Sequence, residues 1–344
     1  MLLDKIFNYC RTNIFSDTQS NYMTCTMLQS LAVKNAPQTL KKFIPWLHRN
    51  ITNIVKENPE VLEDQYKTDC ELKWNVSQVI YLISAAGEDL LPWMDKIHDI
   101  LEIVNQLKEI NGIRMCTKIY TSLIQSLGTF YMYRRNQREG VLRDPDPSLA
   151  AITQWGATFT IREMKGRLDK SWHEPSEAEE NEIFKISRQQ IEPSMAELRQ
   201  IIDDKSQEVD QIRIKQIMAR LIGFLSGIQA AFVFDHGDQI PVDEKYESVI
   251  LGDYPTMATP QSDSLKSQLG HLPKDIFKLM QDLLVRLEEP GDISEYRVLR
   301  IVLITMSFCF NYKQRDDQSA ITVMGRMKLI TFAGSFSFYA RLDS

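Results

Sequence analysis

The chain has 344 residues, 43% of them apolar and 25% charged, with a formal net charge of −6. That is enough apolar material for a continuous core, and the acidic balance excludes a general nucleic-acid binder, which would show a basic excess. Five cysteines, at 10, 25, 70, 116 and 309, form no C-x-x-C pair and fit reduced thiols better than a disulfide framework or a zinc site.

The N-terminal stretch MLLDKIFNYC lacks a basic segment followed by a long apolar run, so no secretory signal is expected. Thr18 to Ala36 carries Met23, Met27, Leu28 and Leu31 at helical spacing. Ala36-Pro37 then starts a second helix, because proline is tolerated in a first turn. It runs to about Lys56 through Leu40, Phe43, Leu47, Ile51 and Ile54, and Asn58-Pro59 ends it. The layout recurs: Asp69 to Ala86 reads as a helix, Gly87 breaks it, and Glu88 to Leu107 reads as the next. Phe43-Ile44-Pro45-Trp46-Leu47 lines up with Leu90-Leu91-Pro92-Trp93-Met94, an echo offset by 47 residues. That offset suits a HEAT or armadillo unit of about 40–47 residues, in which helix pairs stack because one pair cannot bury both its faces.

A third unit begins at Ile113 to Tyr133. The expected organisation is helix pairs over 1–133, an insertion over 134–175 and a helix pair over 176–234. A second insertion over 235–273, a helix pair over 274–315 and an unassigned tail over 316–344 complete it. The fold class is therefore all-α, a HEAT-like solenoid segment with two long insertions between repeats. VLRIVLITMSFCF from Val298 is interrupted by Arg300 and too short to span a bilayer, so no membrane role is expected.

Candidate sites are few. In KSWHEPSEAEENE, from Lys170, the pair His173 and Glu174 could be acid and base, but no partner group lies nearby in sequence. Ser176 and Glu179 make an S-x-x-E capping box, and the acids that follow suit a helix N-terminus, so the stretch reads as architecture. Asp144-Pro145-Asp146 fails as a calcium loop because Leu149 and Trp155 stand where Gly and Glu are required. GFLSG at Gly223 is not a nucleophile elbow and sits inside a helix, and there is no phosphate-binding glycine loop. No catalytic or metal-ligating residue is assigned. Arg134, Arg135 and Arg138, with Arg143, form the one dense basic cluster, either a solvated loop edge or a site for a phosphate-rich ligand.

ELKWNVSQVIYLISAAGEDLLPWMDKIHDIL, then QWG at Gln154, WHEPSEAEE, and RVLRIVLITMSFCFN at Arg297 resemble the middle HEAT region of the large single-chain proteasome activator family, as does APQTLKKFIPWL at Ala36. The likeness covers roughly residues 14 to 315. It implies a curved solenoid that caps the 20S proteasome core particle without ATP and widens its gate. It further implies a nuclear and cytoplasmic location, links to DNA repair and to degradation of acetylated histones, and inositol phosphate in basic openings. The family's histone-binding region and gate-opening tail match nothing here. The chain, far shorter than a complete member, is thus expected to be a fragment that cannot open the gate alone. The other reading is a solenoid scaffold of transport-receptor or phosphatase-subunit type. A small helical enzyme is the least favoured, since no convergent polar set emerges.

Overall fold

The computed structural model describes residues 2–13, 18–63, 71–84, 86–128, 175–204, 210–232, 263–286 and 302, and among these there is no β-strand. In chain order the helices are α1 (Leu2–Thr12), α2 (Thr18–Glu57), α3 (Glu71–Ile83), α4 (Met94–Val104) and α5 (Ile110–Gly128). They continue with α6 (Glu177–Ile186), α7 (Glu192–Asp203), α8 (Gln211–Phe232), α9 (Asp263–Leu269) and α10 (Leu272–Arg286). Short 3₁₀ turns occupy Pro59–Leu62 and Gly87–Trp93, and a π-helical turn, Ser187–Ile191, joins α6 to α7.

α2 is two helices in one rod. Asn35 leaves helical geometry (φ −155, ψ 79), and its Oδ1 accepts from the Gln38 amide at 3.1 Å. Asn35 is thus the N-cap of the second half, with Pro37 in the first turn where its missing N–H costs nothing. The break read at Ala36-Pro37 is present, displaced by one residue. Gly87 makes the next corner with φ 58, a left-handed value that glycine adopts without strain. Its amide donates to buried Ser126 Oγ at 2.8 Å, tying the corner to α5.

The helices form two layers of parallel neighbours. In one layer the first half of α2 packs on α3, α3 on α5 and α5 on α8. Cross-links at Gln29–Ser84 (2.9 Å), Ser77–Met115 (3.9 Å) and Thr121–Gly223 (3.2 Å) fix the order. In the other layer α1 packs on the second half of α2, which packs on α4. Asn105 at the end of α4 reaches Gln190 of the π turn, and α7 packs on α10. The space between the layers holds one apolar core, including Leu28, Phe43, Leu47, Val79, Leu101 and Ile119, each fully buried.

Each element therefore stacks on its counterpart in the next pair, which is the geometry of a HEAT solenoid. Trp46, on the second half of α2, and Trp93, at the N-cap of α4, belong to the second-helix layer of successive pairs and are both half-buried. Their local winding differs, since Trp46 is within α2 and Trp93 closes the 3₁₀ turn that leads into α4.

Two expectations of organisation are corrected. Because α5 stacks on α3 and follows α4 after a short turn, it is the first helix of the third pair, and α6–α7 is its second. Residues 129–174, outside the described residues, thus separate the two helices of one pair in sequence, and α8 and α10 extend the two layers by stacking on α5 and on α7. Further, α9 is helical inside the stretch read as an insertion over 235–273: Leu265 and Leu269, one turn apart, are buried, and α9 packs on α6. Of the pair expected over 274–315 only α10 and Val302 lie among the described residues, and the tail over 316–344 lies outside them.

Among the described residues, α5 and α8 approach closely at two glycines. A Cβ at Gly223 would sit 2.7 Å from the Thr117 carbonyl oxygen, and one at Gly227 would sit 2.4 Å from Ile124 Cβ. In an unconstrained helix interior Gly→Ala would gain up to about 1 kcal/mol. Here Gly227→Ala and Gly223→Ala should each destabilise the chain by about 1–3 kcal/mol, because a backbone or Cβ atom must move to admit the methyl group. Urea unfolding measures this, and a variant more stable than the parent would show that the crossing is loose.

Candidate functional site

The acidic stretch beginning at Lys170 can be judged from Ser176 onward. Ser176 Oγ accepts from the Glu179 amide at 3.4 Å, and the Ser176 amide donates to Glu179 Oε2 at 2.9 Å. This is a complete capping box, and Glu179 is fully buried in making it. Glu177 and Glu180 add negative charge to the same first turn, and Glu182 pairs with His98 Nε2 at 3.1 Å and with Lys185 Nζ at 3.7 Å. His173 and Glu174 themselves lie outside the described residues, as do Arg134, Arg135, Arg138 and Arg143.

What the fold does bring together are polar contacts along the layer of second helices. Asp4 of α1 pairs with Lys42 of α2, and His48 of α2 with Asp99 of α4 at 2.8 Å. His98 of α4 meets Glu182 of α6, and Arg199 of α7 meets Asp282 of α10 at 2.5 Å. Each step of this layer thus carries a charged or ionisable pair. Lys42, beside the Asp4 carboxyl, holds that group down at about 2.

Between the layers, at the third and fourth pairs, lies a buried polar seam. Asn105 Nδ2 donates to Tyr120 Oη and to Gln190 Oε1, both at 3.0 Å, while Cys116 Sγ donates to Asn105 Oδ1 at 3.3 Å. Gln216 Nε2 donates to the Leu107 carbonyl at 2.9 Å. Arg220, 7% exposed, lies beside this seam with Nε and Nη2 buried and unpartnered among the described residues. Burial pushes its guanidinium below the usual range, opposed mainly by Cys116 and Tyr120. Burial also raises the Cys116 thiol to about 12, so it is neutral at physiological pH and no nucleophile.

A cleft accompanies the π turn. Asn181, Phe184, Lys185, Arg188, Gln189 and Gln268 line a cavity of about 290 Å³ between α6 and α9. The π turn has a local cause: Pro193 lacks an N–H and would crowd the carbonyl four residues earlier, and the widened turn relieves both. It also projects Arg188 and Gln189 to the surface. Arg188 and Lys185 bring positive charge, Lys185 also pairing with Glu182 at 3.7 Å, and the amides of Asn181, Gln189 and Gln268 can donate or accept, a lining suited to a polar ligand.

Stacked parallel helices, paired charges at successive steps and a polar cleft describe a binding scaffold. The family model for "Proteasome activator complex subunit 4, mid HEAT repeats region" matches residues 1–232. The chain belongs to this family. It is 23% identical over 239 residues to proteasome activator complex subunit 4A of Danio rerio, covering 70% of this chain and 13% of that protein. It is 21% identical over 324 residues to subunit 4B of the same organism, covering 92% of this chain and 17% of the relative. Subunit 4 of Xenopus laevis is 23% identical over 239 residues, 69% of this chain and 13% of the relative. The chain therefore spans under a fifth of the length of these relatives.

Sequence reading missed the α5–α8 crossing, although the G-x-x-x-G spacing of Gly223 and Gly227 was its signal: two small residues one turn apart permit close helix approach. It also missed the seam, whose members are spread from Asn105 to Arg220 and converge only through stacking. Ser176→Ala removes the cap oxygen that α6 uses and should lower stability by about 1 kcal/mol in thermal or urea unfolding. An unchanged midpoint would mean that tertiary contacts alone hold the start of α6.

Proposed function

We propose that this chain is a wall segment of an ATP-independent proteasome activator, binding the 20S core particle and promoting gate opening for degradation of proteins and peptides. The observation that carries the reading is the family match over residues 1–232, joined to helix pairs stacked as that family's repeats require. It acts by binding and not by catalysis. In support, the buried thiol of Cys116 is held protonated. The printed names of the relatives supply the proteasome as partner class.

The finer parts of the resemblance belong to the same proposal: a place in nucleus and cytoplasm, a role in DNA repair, and degradation of acetylated histones through family regions that match nothing in this chain. No direct contact with nucleic acid or membrane belongs to it. Among the described residues no helix is long and apolar enough to cross a membrane.

Purified 20S core particles should be retained by the immobilised chain without ATP, and failure of retention at micromolar concentrations would remove the segment from the docking surface. The chain alone is expected to leave peptide hydrolysis by the core unstimulated. A saturable, several-fold stimulation would show instead that these helix pairs suffice to open the gate.

Arg134, Arg135 and Arg138 are proposed to bind an inositol phosphate, the planar forked donors of arginine suiting phosphate oxygens. Titration with inositol hexakisphosphate should show binding that weakens as salt rises. Affinity unchanged after replacing all three by Ala would leave the cluster as a solvated loop edge.

A further inference from the structure

The chain carries a net charge of −6, yet residues 34–56 contain Lys34, Lys41, Lys42, Arg49 and Lys56 and not one Asp or Glu. Most of these lie on the second half of α2, which packs between α1 and α4. Lys42 is occupied by Asp4 and stacks over Phe7, 5.1 Å from the ring centroid. Lys41, Arg49 and Lys56 are exposed, and none has a side-chain partner among the described residues. They recur after eight and then seven residues, so they share one face of the helix with Gln38 and Thr52, opposite buried Leu40, Leu47 and Ile51. Their separations along the axis are about 12 Å and about 10 Å.

The neighbouring helices set limits on what can sit there. On one side α1 adds the exposed cations Lys5 and Arg11, its Asp4 being already paired. On the other side α4 presents an exposed acidic row, Asp95, Asp99 and Glu102, with Asp99 engaged by His48. A broad polyanion such as duplex nucleic acid or an acidic membrane would cover both rows and meet repulsion from the second. A single helix is about 10 Å across, narrow enough to lie along the cationic row alone. Carboxylates two turns apart on such a helix repeat about every 10–12 Å, which is the spacing of the row.

We propose that the outer face of α2 from Lys41 to Lys56 is a docking surface for an acidic helical segment of a partner protein, lying along the helix with Asp or Glu at two-turn intervals. Within the fold α4 already lies beside α2 as a helix with exposed acids seven residues apart, Asp95 and Glu102, and its Asp99 pairs with His48 of α2, outside the row of Lys41, Arg49 and Lys56. Between α1 and α4 the outer face of α2 carries Lys41, Arg49 and Lys56 exposed and with no side-chain partner among the described residues. The proposal does not rest on the proteasome reading, since it follows from charge and spacing alone.

The test uses the whole chain and an alanine-based helical peptide of about two dozen residues, long enough to hold helix once docked, with Glu at intervals of eight and seven residues. A scrambled peptide of equal composition is the control. Fluorescence anisotropy should show at least ten-fold tighter binding of the patterned peptide, with affinity falling as salt rises from about 50 mM to about 300 mM. K41E/R49E/K56E should abolish this binding while leaving the helical circular dichroism unchanged, since all three side chains are exposed. Replacing the peptide's Glu residues by Lys should then restore binding to that variant. Equal affinity for the scrambled peptide, or indifference to the triple reversal, would overturn the proposal. Tighter binding of a DNA duplex or of phosphatidylserine vesicles than of the patterned peptide would overturn it in favour of a polyphosphate surface.

Discussion

The approach of α5 to α8 is the contact that the rest of the solenoid inherits. Two glycines one turn apart remove the side chains that would hold the helices at ordinary distance, and Thr117, Tyr120 and Ile124 fill the space. Thr121 and Gln125 then reach the carbonyl oxygens of Gly223 and Ser226 at 3.2 and 3.5 Å. Backbone-to-backbone proximity of this kind fixes both rotation and translation of one helix on the other, so it sets the step to the fourth pair. The seam follows from it. With α8 this close, Gln216 can satisfy the Leu107 carbonyl at the turn between α4 and α5, and Arg220 is carried into the interior.

The two layers are held by different physics. The layer of first helices relies on apolar burial and close approach. The layer of second helices is marked by ion pairs at each step, from Asp4–Lys42 to Arg199–Asp282, most of them part-exposed. Exposed pairs contribute at most about 1 kcal/mol each, so they set register and orientation more than stability. The consequence for function is a surface whose charge alternates from helix to helix: cations on α2, acids on α4, and a mixed row with an open cleft at α6 and the π turn. An extended scaffold with alternating charge can distinguish partners along its length without any catalytic group.

Part of this is written in the sequence. Leu40, Phe43, Leu47 and Ile51 recur at helical spacing, Ala36-Pro37 marks a helix start, Gly87 marks a corner, and Ser176 with Glu179 marks another start. Each is a local signal, decided by residues within one or two turns, and each has its counterpart in the structure. The echo of Phe43-Ile44-Pro45-Trp46-Leu47 at Leu90 gave the repeat, and the ordered matches to the activator family gave the membership that residues 1–232 bear out.

Which helix belongs with which was not local. Residues 129–174 separate α5 from α6, and a gap of that length reads as a boundary between repeats until α5 is seen stacked on α3. α9 was taken for loop because Gly252, Pro255 and Pro260 precede it, whereas Leu265 and Leu269 become a buried face only against α6. The buried seam joins Asn105, Cys116, Tyr120, Gln190 and Arg220, no two of them from the same turn except Cys116 and Tyr120, and only stacking makes them neighbours. Sequence by itself determined most of the helices, the cap at Ser176 and the family. Tertiary structure alone decided the pairing, the glycine crossing and the charged faces left free, because these depend on distances between residues that no local propensity encodes.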